Sequence, residues 1–362
     1  MLNLLSNIMK RILVINPGST STKIAVYNDE KEILVNTIRH SMEELAKYPR
    51  IIDQFEFRKE LVLKTLEENN IPFQFDAIVG RGGLLKPIPG GVYEVNDAML
   101  NDIMHAMRTH ACNLGCLLAS ELAVMLPGCR AFIADPGVVD ELDEVARING
   151  SPLMPRITIW HALNQRAIAR RYAKEQGKRY EDLNLIVCHL GGGISVGAHQ
   201  KGRAIDVPNA LDGEGPFSPE RAGTLPAGNL IDLCFSGKYT QAQLKKMVCG
   251  QGGLAAHLGT TDVQAIQKRI DEGDERARLI LEAMIYHIAK AVGGAAVALW
   301  GKVDAILLTG GIAYSEYITT RLKERVSFLA PVFIYPGEDE LEALALNGLG
   351  ALRGELPIQE YK

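Results

Sequence analysis

The chain has 362 residues, of which 47% are hydrophobic and 23% are charged, as is usual for a globular protein. This length is enough for two domains with separate cores. The formal net charge of −4 excludes a general electrostatic attraction to nucleic acid or to an anionic membrane.

The sequence carries no clear targeting or membrane signal. No apolar run reaches the ~18 residues that a membrane-spanning helix needs. Residues 1–10 are too short and too poor in basic residues for a secretory signal, and Met9 is a candidate for the natural start. The cysteines lie mostly among apolar neighbours, which indicates reduced thiols and predicts a cytoplasmic protein. They are Cys112, Cys116, Cys129, Cys188, Cys234 and Cys249.

His110, Cys112 and Cys116 form one possible metal-binding group. The two cysteines are four residues apart on an apolar predicted helix, whereas metal sites more often use a CxxC spacing. Packing in a core is therefore the favoured interpretation.

The first half of the chain shows short apolar, β-branched runs that alternate with helical patterns. Strands are predicted at residues 11–16, 23–28, 32–38, 76–79 and 130–134, and helices at 57–70, 96–108 and 112–126.

The second half repeats this order after a long predicted helix at residues 156–176. Strands are predicted at 184–190, 194–200, 203–207, 304–308 and 332–335, and helices at 228–236, 240–248, 262–271, 274–299, 314–326 and 340–353. Three strands followed by alternating helices and strands thus occur twice. The order predicts two duplicated α/β domains with mixed sheets facing a central cleft.

Two glycine turns occupy matching places in the two halves. Residues 16–23 follow the first strand of the first half, and residues 189–193 follow the first strand of the second half. Backbone N–H groups of such a strand–turn–strand unit can point into one concavity and bind a phosphate. A single Gly-Ser-Thr turn is more simply a turn, with Lys23 as a solvated charge. The second copy and a third strand-to-glycine junction at 308–311 favour phosphate binding.

Two arginines are candidate ligands for anions. Arg81 stands between Gly80 and the pair Gly82-Gly83, so a guanidinium there can bind a planar carboxylate with two hydrogen bonds. A position in a surface loop is the alternative. Arg221 offers a second cation in the segment 217–223.

One carboxylate and two histidines complete the candidates. Asp135 directly follows a predicted strand, where a carboxylate commonly holds a metal or accepts a proton, although it can also begin a turn. His161, near the start of the 156–176 helix, can donate to a phosphoryl group or pack at a domain junction. His189 precedes the triple glycine, so its ring is expected to face the same groove as the backbone amides. Glu214 and Asp262 are more simply loop or helix-cap residues.

Several common catalytic motifs are absent from the sequence. It contains no GxxxxGK[ST] loop, no GxGxxG after a strand, no HExxH and no GxSxG. Phosphate turns, arginines, histidines and one carboxylate are the parts that phosphoryl transfer needs, because that reaction depends mainly on positioning and charge neutralisation.

The motifs together resemble the short-chain carboxylate kinases, within the superfamily of acetate kinase, sugar kinases, actin and heat-shock chaperones. Residues 16–23 resemble the signature Asn-x-Gly-Ser-x-Ser-x-Lys, residues 79–83 the segment with the substrate-binding arginine, and residues 189–193 the second phosphate turn. The segments 134–140, 211–221 and 335–340 are closer to butyrate kinases than to acetate kinases. The resemblance extends from residue 11 to the end of the chain.

The resemblance implies two ribonuclease H-like (actin-like ATPase) domains and the following roles. The acyl-substrate domain is expected at residues 11–150 plus 340–362, the nucleotide domain at 151–339, and residues 1–10 are an extension. Arg81, Asp135, His161 and Arg221 are implied to be catalytic. Phosphate or nucleotide binding is implied for Asn16, Ser19, Thr20, Lys23, His189, Gly191, Gly192, Gly193, Gly310, Gly311 and Ile312.

ATP/ADP and Mg²⁺ are the implied nucleotide and metal, with Asn16 and Asp135 as the expected metal residues. Acetate kinases carry a glutamate directly after their third glycine turn, whereas here Glu316 is displaced by two residues, so its role in metal binding is weaker. Gln264 stands where acetate kinases have an arginine.

The implied reaction is reversible, ATP-dependent phosphorylation of butyrate to butanoyl phosphate and ADP. Isobutyrate, propionate and acetate are alternative acids, because a methylene in an apolar pocket discriminates by only ~1–3 kcal/mol. A non-catalytic nucleotide switch and a sugar kinase are alternatives of other classes, and neither explains Arg81. The expected partners are a small carboxylate and further copies of the chain, with no nucleic acid or membrane.

Overall fold

The computed structural model describes residues 9–106 and 110–362, which form two compact units. Unit 1 comprises the chain up to Val139 together with Asp339–Lys362, and unit 2 comprises Asp140–Glu338. The chain therefore leaves the first unit, builds the second and returns. The change of unit lies between Val139 and Asp140, earlier than the predicted boundary near residue 150.

The strands match the predicted positions to within one to three residues at most ends. They are β1 Arg11–Pro17, β2 Ser21–Asn28, β3 Lys31–Arg39, β4 Ala77–Arg81, β5 Val92–Glu94, β6 Arg130–Ala134, β7 Asn184–Leu190, β8 Ile194–Gln200, β9 Arg203–Asp206, β10 Ala305–Gly310, β11 Val332–Pro336 and β12 Ile358–Gln359.

Helices connect and cover these strands. They are α1 Met42–Leu45, α2 Phe55–Glu68, α3 Asp97–Met104, α4 Asn113–Val124, α5 Glu144–Arg147, α6 Ala162–Glu175, α7 Ala227–Phe235, α8 Gln241–Val248, α9 Gly253–Leu258, α10 Val263–Asp271, α11 Glu275–Ala298, α12 Glu316–Val326 and α13 Glu340–Arg353. Short 3₁₀ turns lie at Ile51–Gln54, Tyr180–Asp182 and Gly311–Tyr314.

The two sheets repeat one five-strand order, which confirms the predicted duplication. Unit 1 has the order β12-β5-β6-β4-β1-β2-β3, and unit 2 has β11-β10-β7-β8-β9. In each unit the first three strands form an antiparallel meander. The first strand of each meander then pairs in parallel with a later strand. Both sheets are therefore mixed.

Each sheet is buried on both faces, because its central strands are apolar at nearly every position. In unit 1, Leu13 and Ile15 pack with α4 and α2 in one cluster, while Ile12 and Val79 meet α13 at Gly348. In unit 2, α11 and α12 cover one face of the sheet and α6 covers the other.

Helix α11 is long and apolar enough, by length and composition, to cross a membrane. Its residues Leu281, Met284, Ile285, Ile288 and Val292 are instead fully buried in the core of unit 2. The apolar composition of α11 is therefore explained by its burial in the core of unit 2.

The prediction of a helix over 156–176 is wrong at its start, because the helix begins at Ala162. The run Ile157-Thr158-Ile159 is β-branched and favours an extended backbone. Ile159 forms a parallel bridge to Asn209, and its carbonyl accepts a hydrogen bond from the Ala210 N–H at 2.9 Å. His161 consequently occupies the N-cap position, not the first turn of the helix.

Candidate active site

The unit 1 candidates lie together at one edge of the sheet. Strands β1, β4 and β6 are parallel neighbours, with Ile15 opposite Gly80 and Arg81 opposite Ala134. Asn16, Arg81 and Asp135 therefore stand at the carboxyl ends of three adjacent strands. This is the edge where open α/β sheets place their ligands.

A buried arginine, which the sequence did not indicate, binds backbone carbonyls of the first glycine turn. Arg58 is fully buried on α2, and its Nη1 donates to the carbonyls of Gly18 and Ser21 at 2.9 and 3.0 Å. Burial lowers the pKa of Arg58 to about 10. Because carbonyl and N–H groups of one peptide point in opposite directions, the inward Gly18 carbonyl turns the next N–H, that of Ser19, outward. The turn thus offers donors to an anion.

The side chains of this turn differ in exposure. Ser19, Thr20 and Lys23 are exposed, whereas Asn16 is buried at the end of β1. Exposed hydroxyl and ammonium groups beside outward N–H groups are suitable donors for phosphate oxygens.

Arg81 is paired with a carboxylate that the sequence analysis did not single out as a site residue. Glu340, the first residue of α13, accepts hydrogen bonds from the Arg81 guanidinium and from the Asn16 amide, the latter at 2.9 Å. Both side chains are partly buried, with 27% and 12% side-chain exposure for Arg81 and Glu340. Glu340 thereby fixes two predicted site residues relative to each other.

The glycines around Arg81 allow α4 to pack closely against this segment, in addition to leaving space around the guanidinium. A Cβ on Gly80 would lie 2.0 Å from the Gly115 carbonyl oxygen, and one on Gly83 would lie 2.7 Å from the Asn113 Cα. These contacts seat the loop after β4 directly against the helix. The segment 80–83 therefore needs glycine for packing.

Asp135 is almost fully buried and has a left-handed backbone, with φ 39°. Its carboxylate accepts a hydrogen bond from the Gly91 N–H at 2.8 Å, and its own N–H donates to the Gly91 carbonyl at 3.0 Å. A non-glycine residue in this conformation is strained, and such strain occurs frequently at functional sites. The position supports the predicted role and shows that Asp135 also ties the loop before β5.

The second unit presents an equivalent edge. Strand β10 lies between β7 and β11, parallel to both, with Thr309 opposite His189 and Gly310 opposite Pro336. His189, Gly310 and Glu338 therefore lie at or beyond three adjacent carboxyl ends. Glu338 follows the third parallel strand much as Asp135 does in unit 1. Glu338 lies in the segment 335–340, and its sequence context alone does not indicate a site residue.

The carbonyls of the second glycine turn are also held on one side. The Gly192 carbonyl accepts from the Ser218 hydroxyl at 2.6 Å and from the Glu220 N–H at 3.3 Å. The next peptide N–H, that of Gly193, consequently points the other way. Segment 217–221 thus holds a carbonyl of the second turn by hydrogen bonds, as Arg58 does for the first turn in unit 1.

Arg221 lies directly over this turn. A Cβ on Gly193 would come within 2.2 Å of its Nη1, so only glycine permits the guanidinium to pack there. Nη1 donates to the Ala210 carbonyl at 3.2 Å, while Nε is buried without a hydrogen-bond partner. An unsatisfied donor so close to the glycine turn makes the Arg221 guanidinium a candidate anion ligand.

His161 and His189 stack face to face, with ring centroids 3.8 Å apart and an angle of 9° between planes. His161 Nδ1 lies 2.8 Å from the Ser195 hydroxyl, and His189 Nδ1 lies 2.8 Å from the side-chain amide oxygen of Asn164. His189 Nε2 is 3.4 Å from a Glu338 carboxylate oxygen. The two predicted histidines therefore belong to one arrangement.

The third glycine junction lies against the second turn. Gly310 has φ 92°, and a Cβ there would be 2.3 Å from the Leu190 carbonyl oxygen. Gly311 is exposed and Ile312 is buried at the start of the 3₁₀ turn. These positions are compatible with the resemblance, which implies that this surface borders the adenosine.

Within the described residues, no group of three or more His, Cys, Asp or Glu side chains could hold a metal ion alone. Mg²⁺ usually takes one or two carboxylates and completes its shell with water and phosphate oxygens, so the oxygen donors Asn16 and Asp135 still fit it. Glu316 is exposed in the first turn of α12. Burial raises the pKa of Cys112 to about 11 and that of Cys116 to about 12, which disfavours thiolate ligands.

Comparison with known proteins gives consistent results. Residues 158–330 match the Acetokinase family. A protein of Bacteroides thetaiotaomicron named probable butyrate kinase is 72% identical over 352 residues, which are 97% of this chain and 100% of that protein. Butyrate kinase 1 of Clostridium acetobutylicum is 55% identical over 356 residues, which are 98% of this chain and 100% of that protein.

Solved structures establish the fold. The acetate kinase of Porphyromonas gingivalis superposes with a TM-score of 0.79 at 20% identity and covers 95% of this chain and 100% of that chain. A propionate kinase from Francisella tularensis gives a TM-score of 0.74 at 18% identity, covering 94% of this chain and 99% of that chain. The predicted actin-like ATPase fold class is confirmed by these likenesses.

Proposed function

Since this chain belongs to the butyrate kinase family, we propose that it transfers the γ-phosphoryl group of ATP to the carboxylate of butyrate. The products are butanoyl phosphate and ADP, and the reaction is reversible. The similarity to proteins named butyrate kinase along 97% of the chain carries this assignment. Arg81, at the carboxyl edge of unit 1, supplies a cation for a carboxylic acid.

The two units supply different parts of the reaction. In unit 1, Arg81 holds the acid, and the outward N–H groups of the first turn bind phosphate oxygens. In unit 2, the turn at 191–193 cradles the nucleotide phosphates, with Gly310, Gly311 and Ile312 bordering the adenosine. His189 remains a proposed phosphate contact, because its ring lies beside the turn.

The chemical step is an in-line attack of a butyrate oxygen on the γ-phosphorus, with departure of the ADP β-phosphate oxygen. His161 donates a hydrogen bond to the phosphoryl oxygens, and Arg221 stabilises the negative charge that is spread over them in the transition state. Asn16 and Asp135 would hold Mg²⁺, which neutralises the nucleotide phosphates when bound. Glu340 keeps Arg81 and Asn16 in place.

We also propose that the enzyme acts in the cytoplasm and assembles with copies of itself. The six cysteines, all within the described residues, are free thiols. Helix α7 is apolar yet buries none of its residues, and Ile231 and Phe235 are 57% and 87% exposed. Exposed apolar surface of this kind is typical of an interface between proteins.

The preferred acid is determined by ATP-dependent acyl hydroxamate formation with butyrate, isobutyrate, propionate and acetate in parallel. The proposal predicts the highest kcat/KM with butyrate. A higher value with any of the other three acids would transfer the assignment to that acid. Glycerol serves as the control acceptor, and ADP release with glycerol but with no acid would overturn the carboxylate kinase.

A further inference from the structure

Behind His161, unit 2 contains a row of buried polar side chains that the proposed reaction does not use directly. Tyr180, His199, Gln165 and Ser195 connect in that order by hydrogen bonds of 2.6, 2.9 and 2.8 Å, and a further 2.8 Å separates Ser195 from His161. Gln165, Ser195 and His199 are completely buried. Polar groups so deep in a core require satisfied partners, so the direction of each bond is determined by chemistry.

The side-chain amide of Gln165 determines which groups in the row donate and which accept. This side chain contacts the backbone carbonyl of Ser195 at 3.0 Å. A carbonyl can only accept, so the atom facing it is the Nε2 amine group. The same amine donates its second hydrogen to the Ser195 hydroxyl oxygen. The other amide atom, Oε1, consequently faces His199 and accepts from its Nε2–H.

The histidine and tyrosine at the inner end agree with this direction. Burial, together with the charges of Arg166 and Arg170, lowers the pKa of His199 to about 3, so the ring is neutral near pH 7. A neutral imidazole that donates through Nε2 has an acceptor at Nδ1. The Tyr180 hydroxyl, 2.6 Å from that nitrogen, is therefore the donor.

Ser195, at the end of the row next to His161, determines which ring nitrogen of His161 carries the proton. Ser195 is fully buried, and its hydroxyl contacts the Gln165 amine, which cannot accept a hydrogen bond, and His161 Nδ1. Since a buried hydroxyl needs an acceptor for its hydrogen, that hydrogen is directed to His161 Nδ1. In the neutral ring Nδ1 is then an acceptor and the proton resides on Nε2. Donors thus run in one direction, from Tyr180 to His161.

His189 provides a contrast within the same pair of stacked rings. Its Nδ1 faces the side-chain amide oxygen of Asn164, so it donates through Nδ1. The amine of Asn164 lies 3.4 Å from the Thr309 hydroxyl, which in turn donates to the Gly337 carbonyl at 3.1 Å. This network therefore places a proton on Nδ1 of His189, whereas Ser195 places the proton of a neutral His161 on Nε2. Nε2 of His189 faces a Glu338 carboxylate oxygen at 3.4 Å.

We infer that Tyr180, His199, Gln165 and Ser195 are positioning residues that hold His161 in its Nε2–H tautomer. The inference rests on the proposed role of His161 as a hydrogen-bond donor to the transferring phosphoryl group. A fixed tautomer keeps a donor available in every neutral ring and avoids a rearrangement in the transition state. The chain thus preorganises the donor from inside the unit.

The tautomer is measured directly in the wild-type enzyme. Two-bond ¹H–¹⁵N correlation at pH 8, with ¹⁵N-histidine labelling and assignment by His161→Gln, distinguishes protonated from unprotonated ring nitrogens. The inference predicts that His161 carries its proton on Nε2 and that His189 carries its proton on Nδ1. A proton on Nδ1 of His161, or an even mixture of tautomers, would overturn the inference.

Ser195→Ala and Ser195→Thr form a matched pair of variants. Removing the hydroxyl should lower kcat about tenfold, as expected for loss of one hydrogen bond, with KM for ATP and butyrate within about twofold of wild type. Threonine keeps the hydroxyl and should restore most of kcat. Wild-type kcat in a folded Ser195→Ala variant, or an equal loss in a folded Ser195→Thr variant, would contradict the positioning role.

The His161→Gln variant distinguishes a failure of the proposed function from a failure of the positioning role. Full activity of His161→Gln with butyrate would remove the role of His161 and leave the measured tautomer in place. If His161→Gln is inactive but His161 of the wild-type enzyme carries its proton on Nδ1, only the positioning role of the four buried residues is rejected.

Discussion

At the scale of single residues, we propose that Arg81 selects an acid as the substrate. A guanidinium presents several donors in a plane that matches a carboxylate, and here it stands beside the chain's own carboxylate, Glu340. A sugar hydroxyl has no comparable need for such a group. The substrate class therefore follows from this side chain more than from any other.

Arg81→Ala is expected to lower kcat/KM for butyrate by about 10²-fold, because hydrogen bonds between charged groups each contribute roughly 1.5–3 kcal/mol. The dissociation constant for ATP should stay within about twofold of wild type. Steady-state kinetics and nucleotide titration measure both quantities. Arg39→Ala, on the exposed face of β3, is the matched control. Unchanged kcat/KM in Arg81→Ala would show that the acid binds elsewhere.

Two buried histidines are expected to make stability depend on pH. The pKa of His40 is lowered to about 4 by burial and by Arg58, and the pKa of His199 is lowered to about 3. Both rings gain affinity for a proton on unfolding. The stabilisation is therefore complete above pH 6.5 and is lost as the pH falls toward the folded values, by at most ~1.4 kcal/mol per pH unit for each ring.

His40→Gln should reduce the fall in the urea unfolding midpoint between pH 7 and pH 5. His105→Gln, at an exposed position, should leave the wild-type fall unchanged. Circular dichroism at the two pH values gives the midpoints. Equal pH dependence in wild type and in His40→Gln would refute the contribution of this ring.

Sequence reasoning reaches residues at the ends of predicted strands, such as Arg81 and Asp135. It does not reach Glu340, which is 259 positions from Arg81, or Arg58, whose acceptors are up to 40 positions away. Ser195 is equally hidden, because a serine inside a strand pattern has no local signal for its partner. These contacts arise only when distant elements pack.

At the scale of elements, α13 returns the chain to unit 1 and carries Glu340 to Arg81. The helix lies against β4 through Gly348, where a Cβ would be 2.5 Å from the Val79 Cγ2. Close packing here determines both the fold of unit 1 and the position of the carboxylate.

Gly348→Ala is expected to lower the free energy of unfolding by about 1–3 kcal/mol, because the added methyl overpacks the interface with β4. Gly294→Ala is the matched control, also inside a helix, where a Cβ would meet nothing within 4 Å. That substitution should be neutral or stabilise by up to ~1 kcal/mol. Urea denaturation of both variants measures the difference. A neutral Gly348→Ala variant would be incompatible with the described contact.

Long elements with clear apolar periodicity were predicted well, and short ones were missed. Strand β5 has 3 residues, β12 has 2 and α9 has 6, so each gives too little pattern to be distinguished from a loop. The start of α6 was misplaced because residues 157–159 use their β-branched side chains in an extended segment. Tertiary pairing decided these cases.

At the scale of the whole molecule, the duplication explains why the two units carry similar arrangements of candidate residues. Each unit places its candidates at the carboxyl ends of three parallel strands, and each braces a glycine turn from one side. The order of strands in the sequence was sufficient to predict this repeat. The preferred acid is not encoded in any comparably simple pattern.

The exposed apolar helix α7 leads to a prediction about assembly. Phe235→Asp is expected to reduce the molar mass measured by light scattering, because a charge in an apolar interface opposes association. Lys238→Asp, a nearby exposed position, is a control for the change of charge. A monomeric wild-type protein, or an unchanged mass in Phe235→Asp, would remove α7 as the contact.

Phosphorus-31 NMR of the wild-type protein with ATP, Mg²⁺ and butyrate shows whether the γ-phosphoryl group is transferred to the acid. We expect an acyl phosphate resonance that grows in equal amount with ADP and requires butyrate. Release of ADP and inorganic phosphate without acyl phosphate, at a rate independent of butyrate, would contradict phosphoryl transfer to the acid.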